Sequence, residues 1–403
     1  MKKHMLVALA TIIGLVTVYN ILPQKIDLNH DSQIVFEDAS LKVKKIGTYD
    51  KLSVLFVKNN VAYGIEDHFV YKSVDNGKSF VQLGSLPKHK PTLMENIKNT
   101  IARLRIVRDF RRNKGPVVLT VLDSGTIIVI YDKIYRSEDG GKSFEVINYP
   151  ARDFQIPYFN NIAVSPSGNI YAGEYTTKKR PHVVRVLEGA NDGRDWIVKY
   201  TFPKGEIFHV HGIFWSHLLD SIIVATGDLN AESKLLKTND EFETLQSIGE
   251  GDQGWRAVSL SESNNSLFWG SDNDRTGAYL YQLADGKRTR HAFTGKVSYD
   301  SNVILPSTLV VSETLEPVSE YIKSSDEGFQ ISAWLSPDGQ EWVEAIKFEL
   351  SNRDQLLKTK KRPRLMLPNG DGSINKLFIS PQFTKSPQGC LEPCTIAYEI
   401  EWK

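Results

Sequence analysis

Three things are scarce in this chain, and each scarcity narrows its chemistry. Cysteine is the first: 403 residues hold only Cys390 and Cys394. With no second cysteine pair, the C-x3-C spacing reads as a disulfide closing a small loop in an oxidising compartment, and half of a metal site is the lesser alternative. Net charge is the second. Lys and Arg total 49 against 48 Asp and Glu, giving +1, so no global field draws the chain to nucleic acid. Long apolar runs are the third, with one exception at the start. Lys2, Lys3 and His4 precede Met5 to Tyr19, a basic region followed by an apolar segment of signal or short-anchor length. No lipobox cysteine follows, and Tyr19 to Gln24 are too bulky or polar for a small-x-small cleavage site. Residues 1–24 are therefore expected to be a membrane anchor, with a cleaved signal peptide as the alternative. Either way residues 25–403 are exported to the cell envelope, periplasmic or extracellular, with the lysines left inside.

Turns and short strands make up what is there. Ser137-Glu138-Asp139-Gly140-Gly141-Lys142-Ser143-Phe144 is repeated as Ser73-Val74-Asp75-Asn76-Gly77-Lys78-Ser79-Phe80. In each, the Asp can accept backbone N–H groups of its own turn, the Gly can take positive φ, and the Phe opens a new strand. Looser echoes occur at Thr238-Asn239-Asp240-Glu241-Phe242, Ser324-Ser325-Asp326-Glu327-Gly328 and Ser336-Pro337-Asp338-Gly339.

Pairs of short apolar strands recur between these turns, the second of each pair often running into an acidic residue. Val54–Val57 and Val61–Gly64 lead to Asp67; Val117–Leu122 and Thr126–Tyr131 lead to Asp132. Asn161–Val164 and Asn169–Gly173 lead to Glu174, and Val210–Trp215 and Ser221–Thr226 to Asp228. Ala257–Leu260 and Ser266–Trp269 lead to Asp272, and Val297–Ile304 and Ser307–Ser312 to Glu313. Leu365–Leu367 and Lys376–Ser380 make a seventh unit. The pattern predicts an all-β fold, a single β-propeller of seven blades with six as the rival count, and Gln33–Glu37 closing the ring so that no sheet edge is exposed. Residues 91–115 interrupt it: Met94, Ile97, Ile101, Leu104 and Val107 have helical spacing amid Lys and Arg, which predicts an inserted basic amphipathic helix. That helix either packs on the propeller or meets an anionic membrane or polymer.

In a propeller, loops after second strands and before first strands share one face, where ligands meet the axis. The strand-end acids belong to that face, and so do His209 and His211, Trp255 and Arg256, and Arg362 and Arg364. Paired carboxylates serve glycoside chemistry, arginines grip carboxylates, and histidines two apart on one strand share a side and can move protons or hold a metal. Candidate catalytic residues are thus Glu174, Asp228, Asp272, His209 and His211. Candidate substrate-binding residues are Tyr175, Trp255, Arg256, Glu313 and Arg364. Trp215 either stacks on a sugar or faces the core. No cofactor is indicated, and the metal is left open.

The serine, Asp, Gly and aromatic turns resemble the Asp-box of the sialidase-like BNR-repeat propellers, across roughly residues 50 to 403. The resemblance implies that these turns join outer blade strands on the face away from the ligand. It also implies a sialidase-like glycoside hydrolase on an anionic glycan, with Arg256 and Arg364 as two of three carboxylate-binding arginines. The family's Arg-Ile-Pro element is absent, and Glu174 and Tyr175 are adjacent rather than paired across strands. Two further readings stand beside it: a polysaccharide lyase using His209, His211 and Arg256, and a non-catalytic, membrane-anchored propeller that binds a glycan or protein.

Overall fold

A computed structural model describes residues 24–87, 118–131, 133–148, 162–175, 181–263, 265–273, 278–291, 297–301, 308–315, 330–350, 362–385 and 393–403. The N-terminal segment, the 91–115 insertion, Asp132, the 324–328 turn and Cys390 lie outside them. Among the described residues the chain is a β-propeller. Among those residues the only helices are two single 3-10 turns, Asn230–Glu232 and Gln253–Trp255.

Four-stranded antiparallel meanders follow one another along the chain. In the first, Ser53–Lys58, Val61–Glu66, Phe69–Ser73 and Ser79–Ser85 lie in order, with short flanking strands at each edge. Four sheets of the same plan follow, the fourth unit being His209–Ser216, Ser221–Gly227, Lys234–Thr238 and Gln246–Glu250. The remaining sheet joins two meanders. One runs from Val297–Ser301 to Val343–Glu349; the other holds Arg364–Met366, Leu377–Gln382, Cys394–Trp402, Leu41–Asp50 and Asn29–Glu37.

That last meander closes the ring, but not as the sequence suggests. Gln33–Glu37 does pair in it, as the end of Asn29–Glu37 on the outer edge. The strand that meets the C-terminus is Leu41–Asp50, which runs against Cys394–Trp402 from Leu41↔Trp402 to Asp50↔Cys394. A second difference falls in the fifth unit. Ala257–Leu260 is not its inner strand: Ser261–Ser263 is, and Ala257 makes only an isolated bridge to Ser271.

Side-chain alternation explains why so many strands are apolar on both faces. In Ile127–Ile130, Ile127 and Val129 pack with Phe56, Ile65 and Val70 of the preceding unit. Ile128 and Ile130 pack with Ile170, Ala172 and Leu187 of the following one. Each such cluster is shared between neighbours, so a unit buries its two faces only with units on both sides.

The turns are built alike. Asp75 accepts N–H groups of Lys78 and Ser79 at 3.0 Å and the Ser79 hydroxyl at 2.7 Å, while the Ser73 hydroxyl accepts the Gly77 N–H. Asp139 with Ser137 and Ser143, and Asp240 with Thr238 and Thr244, repeat the scheme. So does a shorter version at Ser336, Asp338 and Gly339. Burial works against the Asp75 charge, yet the serine hydroxyls and N–H groups outweigh it and hold its carboxyl down at about 2. Gly77 has φ +69°, and a Cβ there would meet the Phe378 ring at 2.8 Å.

Candidate functional site

Three consecutive units contribute to one cluster. The third unit's second strand, Ile170–Gly173, runs into Glu174 and Tyr175. The Glu174 carbonyl accepts the Val210 N–H at 3.0 Å, which docks this strand end on the start of His209–Ser216. The register of that strand against Ser221–Gly227 slips between Val210 and Gly212. His211 is thus the extra residue of a bulge, a device that re-aims side chains at sheet rims. The partner strand ends at Gly227, and Asp228 follows. In the fifth unit the Asp272 N–H donates to the Arg256 carbonyl at 2.8 Å, fixing those two residues to each other through the backbone.

The side chains then converge. The Nε2 atoms of His209 and His211 lie 2.7 Å apart, and each is 3.4 Å from Asp228 Oδ1. Arg256 Nη2 stands 2.9 Å from Asp228 Oδ1 and 2.9 Å from Asp272 Oδ2, bridging two carboxylates. The Tyr175 ring stacks on His209 at 4.0 Å between centroids. Gln253 donates to the Asp228 carbonyl at 3.0 Å, and Glu232 accepts the N–H groups of Asp228 and Leu229. Gly227 makes room: a Cβ there would lie 2.9 Å from both Arg256 Cγ and His211 Cε1.

Exposure grades across the cluster. The His209 and His211 side chains are 3% and 2% exposed, and Asp228 is 27% exposed, the open member. Burial pushes the His211 imidazole below its ordinary value, with the nearby His209 and Arg256 adding to it and Asp228 opposing. Burial also works against the Asp228 charge, but the His209 and His211 hydrogen bonds prevail and hold its carboxyl far below the usual carboxylate range. The His211 Nδ1 is buried without a hydrogen-bond partner among the described residues.

Of the residues expected here, His209, His211, Asp228, Asp272, Arg256 and Tyr175 come together. The others are placed differently. Glu174 is buried and clamped by Arg185, Nε to Oε2 at 2.9 Å and Nη2 to Oε1 at 2.8 Å. Trp255 diverges from Arg256: it stacks on Trp269 at 5.4 Å between centroids, with the Arg288 guanidinium carbon 4.3 Å from the Trp255 ring centroid. Glu313 accepts the Ser332 N–H at 2.9 Å and the Trp334 indole N–H at 3.0 Å, binding two strands of its own unit. Arg364 donates to Gln382 at 2.6 Å on the neighbouring strand. Asp67 is at a corner with φ +53°, against His68. Trp215 lies at the far end of the His209–Ser216 strand, beside a 290 Å³ cleft lined also by Ser167, Asp220, Thr238 and Glu241, on the side of the Asp turns.

Sequence reasoning missed Arg185, Gln253 and the fit of Gly227. Arg185 gave no signal, since a charge between Val184 and Val186 is the ordinary alternation of a strand and names no partner.

No protein-family model matches the chain, and no curated protein matches it. Among solved structures, it is similar to the extracellular domain of a one-component system from B. thetaiotaomicron, at 11% identity and TM-score 0.48. That match covers 94% of this chain and 40% of the other, so this chain spans well under half the length of its match. A gluconolactonase from Xanthomonas campestris is matched at 10% identity and TM-score 0.42, over 72% of this chain and 94% of that one. An ancestral GH74 enzyme is matched at 12% identity and TM-score 0.48, over 84% and 44%.

Proposed function

We propose that this chain is an exported, glycan-binding β-propeller of seven blades, related to the Asp-box proteins, that holds its ligand over the Tyr175–Asp228 rim without cleaving it. The ligand is a glycan or acidic polysaccharide, and residues 1–24 tether or target the propeller to the envelope. The disulfide at Cys394 supports an oxidising compartment. The observation that carries the binding reading is how the acids are engaged. Hydrolysis of a glycosidic bond needs one carboxyl that carries a proton. Asp228 is held ionised, Asp272 shares the Arg256 guanidinium, and Glu174 is clamped by Arg185. Proton abstraction by a lyase needs a base that reaches a sugar carbon, and both histidines are covered.

One observation favours glycoside hydrolysis as a second reading. Asp228 and Asp272 oxygens flank one Arg256 nitrogen, so they can be no further apart than twice 2.9 Å. That upper bound admits the separation of about 5–5.5 Å found for carboxylate pairs in retaining enzymes.

The test is a glycan array followed by incubation of the full chain with each hit. Retention without new reducing ends or ultraviolet-absorbing products, weakened at least about tenfold (roughly 1.4 kcal/mol) by Asp228→Ala, is expected. Turnover that Asp228→Ala and Asp272→Ala abolish would establish the hydrolase instead.

A further inference from the structure

We propose that His209, His211 and Asp228 form a binding site for a divalent transition-metal ion of the zinc class, through which the rim engages oxygen atoms of its ligand. The inference deepens the glycan-binding reading and rests on it only for the ligand, not for the ion.

Proton counting comes first. Two ring nitrogens at 2.7 Å need one proton between them. That single proton is shared with Asp228 Oδ1, which sits 3.4 Å from both nitrogens. A cation inside the triangle is met by all three lone pairs at once. The three ligand atoms lie within 4.8 Å of one another, on two backbone segments held in one sheet by the His209↔Gly227 pairing.

Geometry comes second. A tetrahedral zinc ion with bonds of about 2.0–2.1 Å sets its ligand atoms about 3.3–3.4 Å apart. Both nitrogen–oxygen edges already have that length. Only the nitrogen–nitrogen edge must open, by well under 1 Å on the same bond lengths. Two imidazoles and one carboxylate select zinc, copper or nickel over calcium and magnesium, which prefer oxygen alone.

Charge comes third. Arg256 opposes a cation, but Asp272 also lies 2.9 Å from the same guanidinium nitrogen and offsets it. The charge left over is that of Asp228. Three protein ligands leave a fourth position, and the open side is that of Asp228, the most exposed of the three. A sugar carboxylate or hydroxyl pair fits there, which gives an acidic glycan a positive contact that Arg256, held by two aspartates, does not supply. A ligating histidine ordinarily donates its other N–H to an acceptor, and His211 Nδ1 has none among the described residues. The site is therefore expected to bind about 10- to 100-fold more weakly than a fully braced one.

The test uses the full chain stripped with chelator, then titrated with Zn²⁺ by calorimetry and with Co²⁺ by visible absorption. One equivalent of zinc, and the intense visible bands of tetrahedral Co²⁺, are expected. His209→Ala with His211→Ala should lose both, while His217→Ala, an exposed histidine, should lose neither. Absence of stoichiometric binding, or binding unchanged in the double variant, overturns the site. Should the double variant not fold, the Co²⁺ spectrum of the native chain decides alone: octahedral weak bands overturn the site. Glycan retention by the native chain that survives chelation would remove the ion from ligand binding while leaving the glycan reading intact. Zinc binding with no glycan retained on any array would support the site and overturn only its link to a sugar.

Discussion

At Gly227 one hydrogen atom separates a formed site from a broken one. A methyl group there would sit 2.9 Å from Arg256 Cγ and His211 Cε1, closer than carbon atoms approach. Gly227→Ala should cost about 1–3 kcal/mol in urea unfolding and abolish ligand retention with it. Glu174 separates two roles by the same measurement. It is buried and bidentate to Arg185, so removing it takes away the carboxylate that Arg185 Nε and Nη2 both bind. Glu174→Ala should destabilise the fold by about 3 kcal/mol, visible in unfolding curves without any ligand. A purely catalytic glutamate would leave those curves unmoved. The candidate cluster was legible in the sequence where residues stood at strand ends, as with His209, Asp228 and Asp272. Arg185 was not, because it lies inside a strand and its partner is a residue that alternation alone does not point to. Trp255 misled for a related reason: adjacency to Arg256 says nothing about direction at a 3-10 turn, and the indole found the Trp269–Arg288 stack instead.

At the scale of the element, the repeated turn is a carboxylate cradle, and its stability has a predictable pH dependence. The Asp75 carboxyl is held at about 2 in the folded chain, below its ordinary 3.8. A depressed carboxylate contributes fully above its unfolded value, and the contribution is lost as pH falls through the folded one. Between pH 4 and pH 2 the urea midpoint of the native chain should therefore fall more steeply than that of Asp75→Asn. Two copies of this turn were plain in the sequence. The copy at Thr238 was a faint echo, since Glu241 and Phe242 replace the glycine, yet both adopt positive φ and the hydrogen bonds are the same. Side-chain oxygens, not glycine, define the element. Strand Leu41–Asp50 was missed for the opposite reason. Lys42, Lys44 and Lys45 disguise it as a polar lead-in, although Leu41 and Val43, on either side of Lys42, are fully buried.

At the scale of the whole molecule, Leu41 and Val43 do what no single blade's interior does: they join an early strand to the C-terminal one. Leu41 and Val43 pack in one cluster with Ile331, Leu377 and Ile396. This contact spans nearly the full sequence, so it forms only when the ring shuts, and the cluster between the last and first units then gains its second wall. Units that bury their faces only against neighbours should unfold together once the closure fails. Ile396→Ala is therefore expected to lower stability by about 2–5 kcal/mol, the cost of a core truncation. The loss should appear as one displaced transition rather than a new early step. Ile223→Ala, in the fourth unit and also fully buried, should shift the same single transition. If the closing-strand variant instead unfolds in two phases, with the fluorescence of Trp402 changing before that of Trp269, the ring holds its blades independently and cooperative closure is wrong.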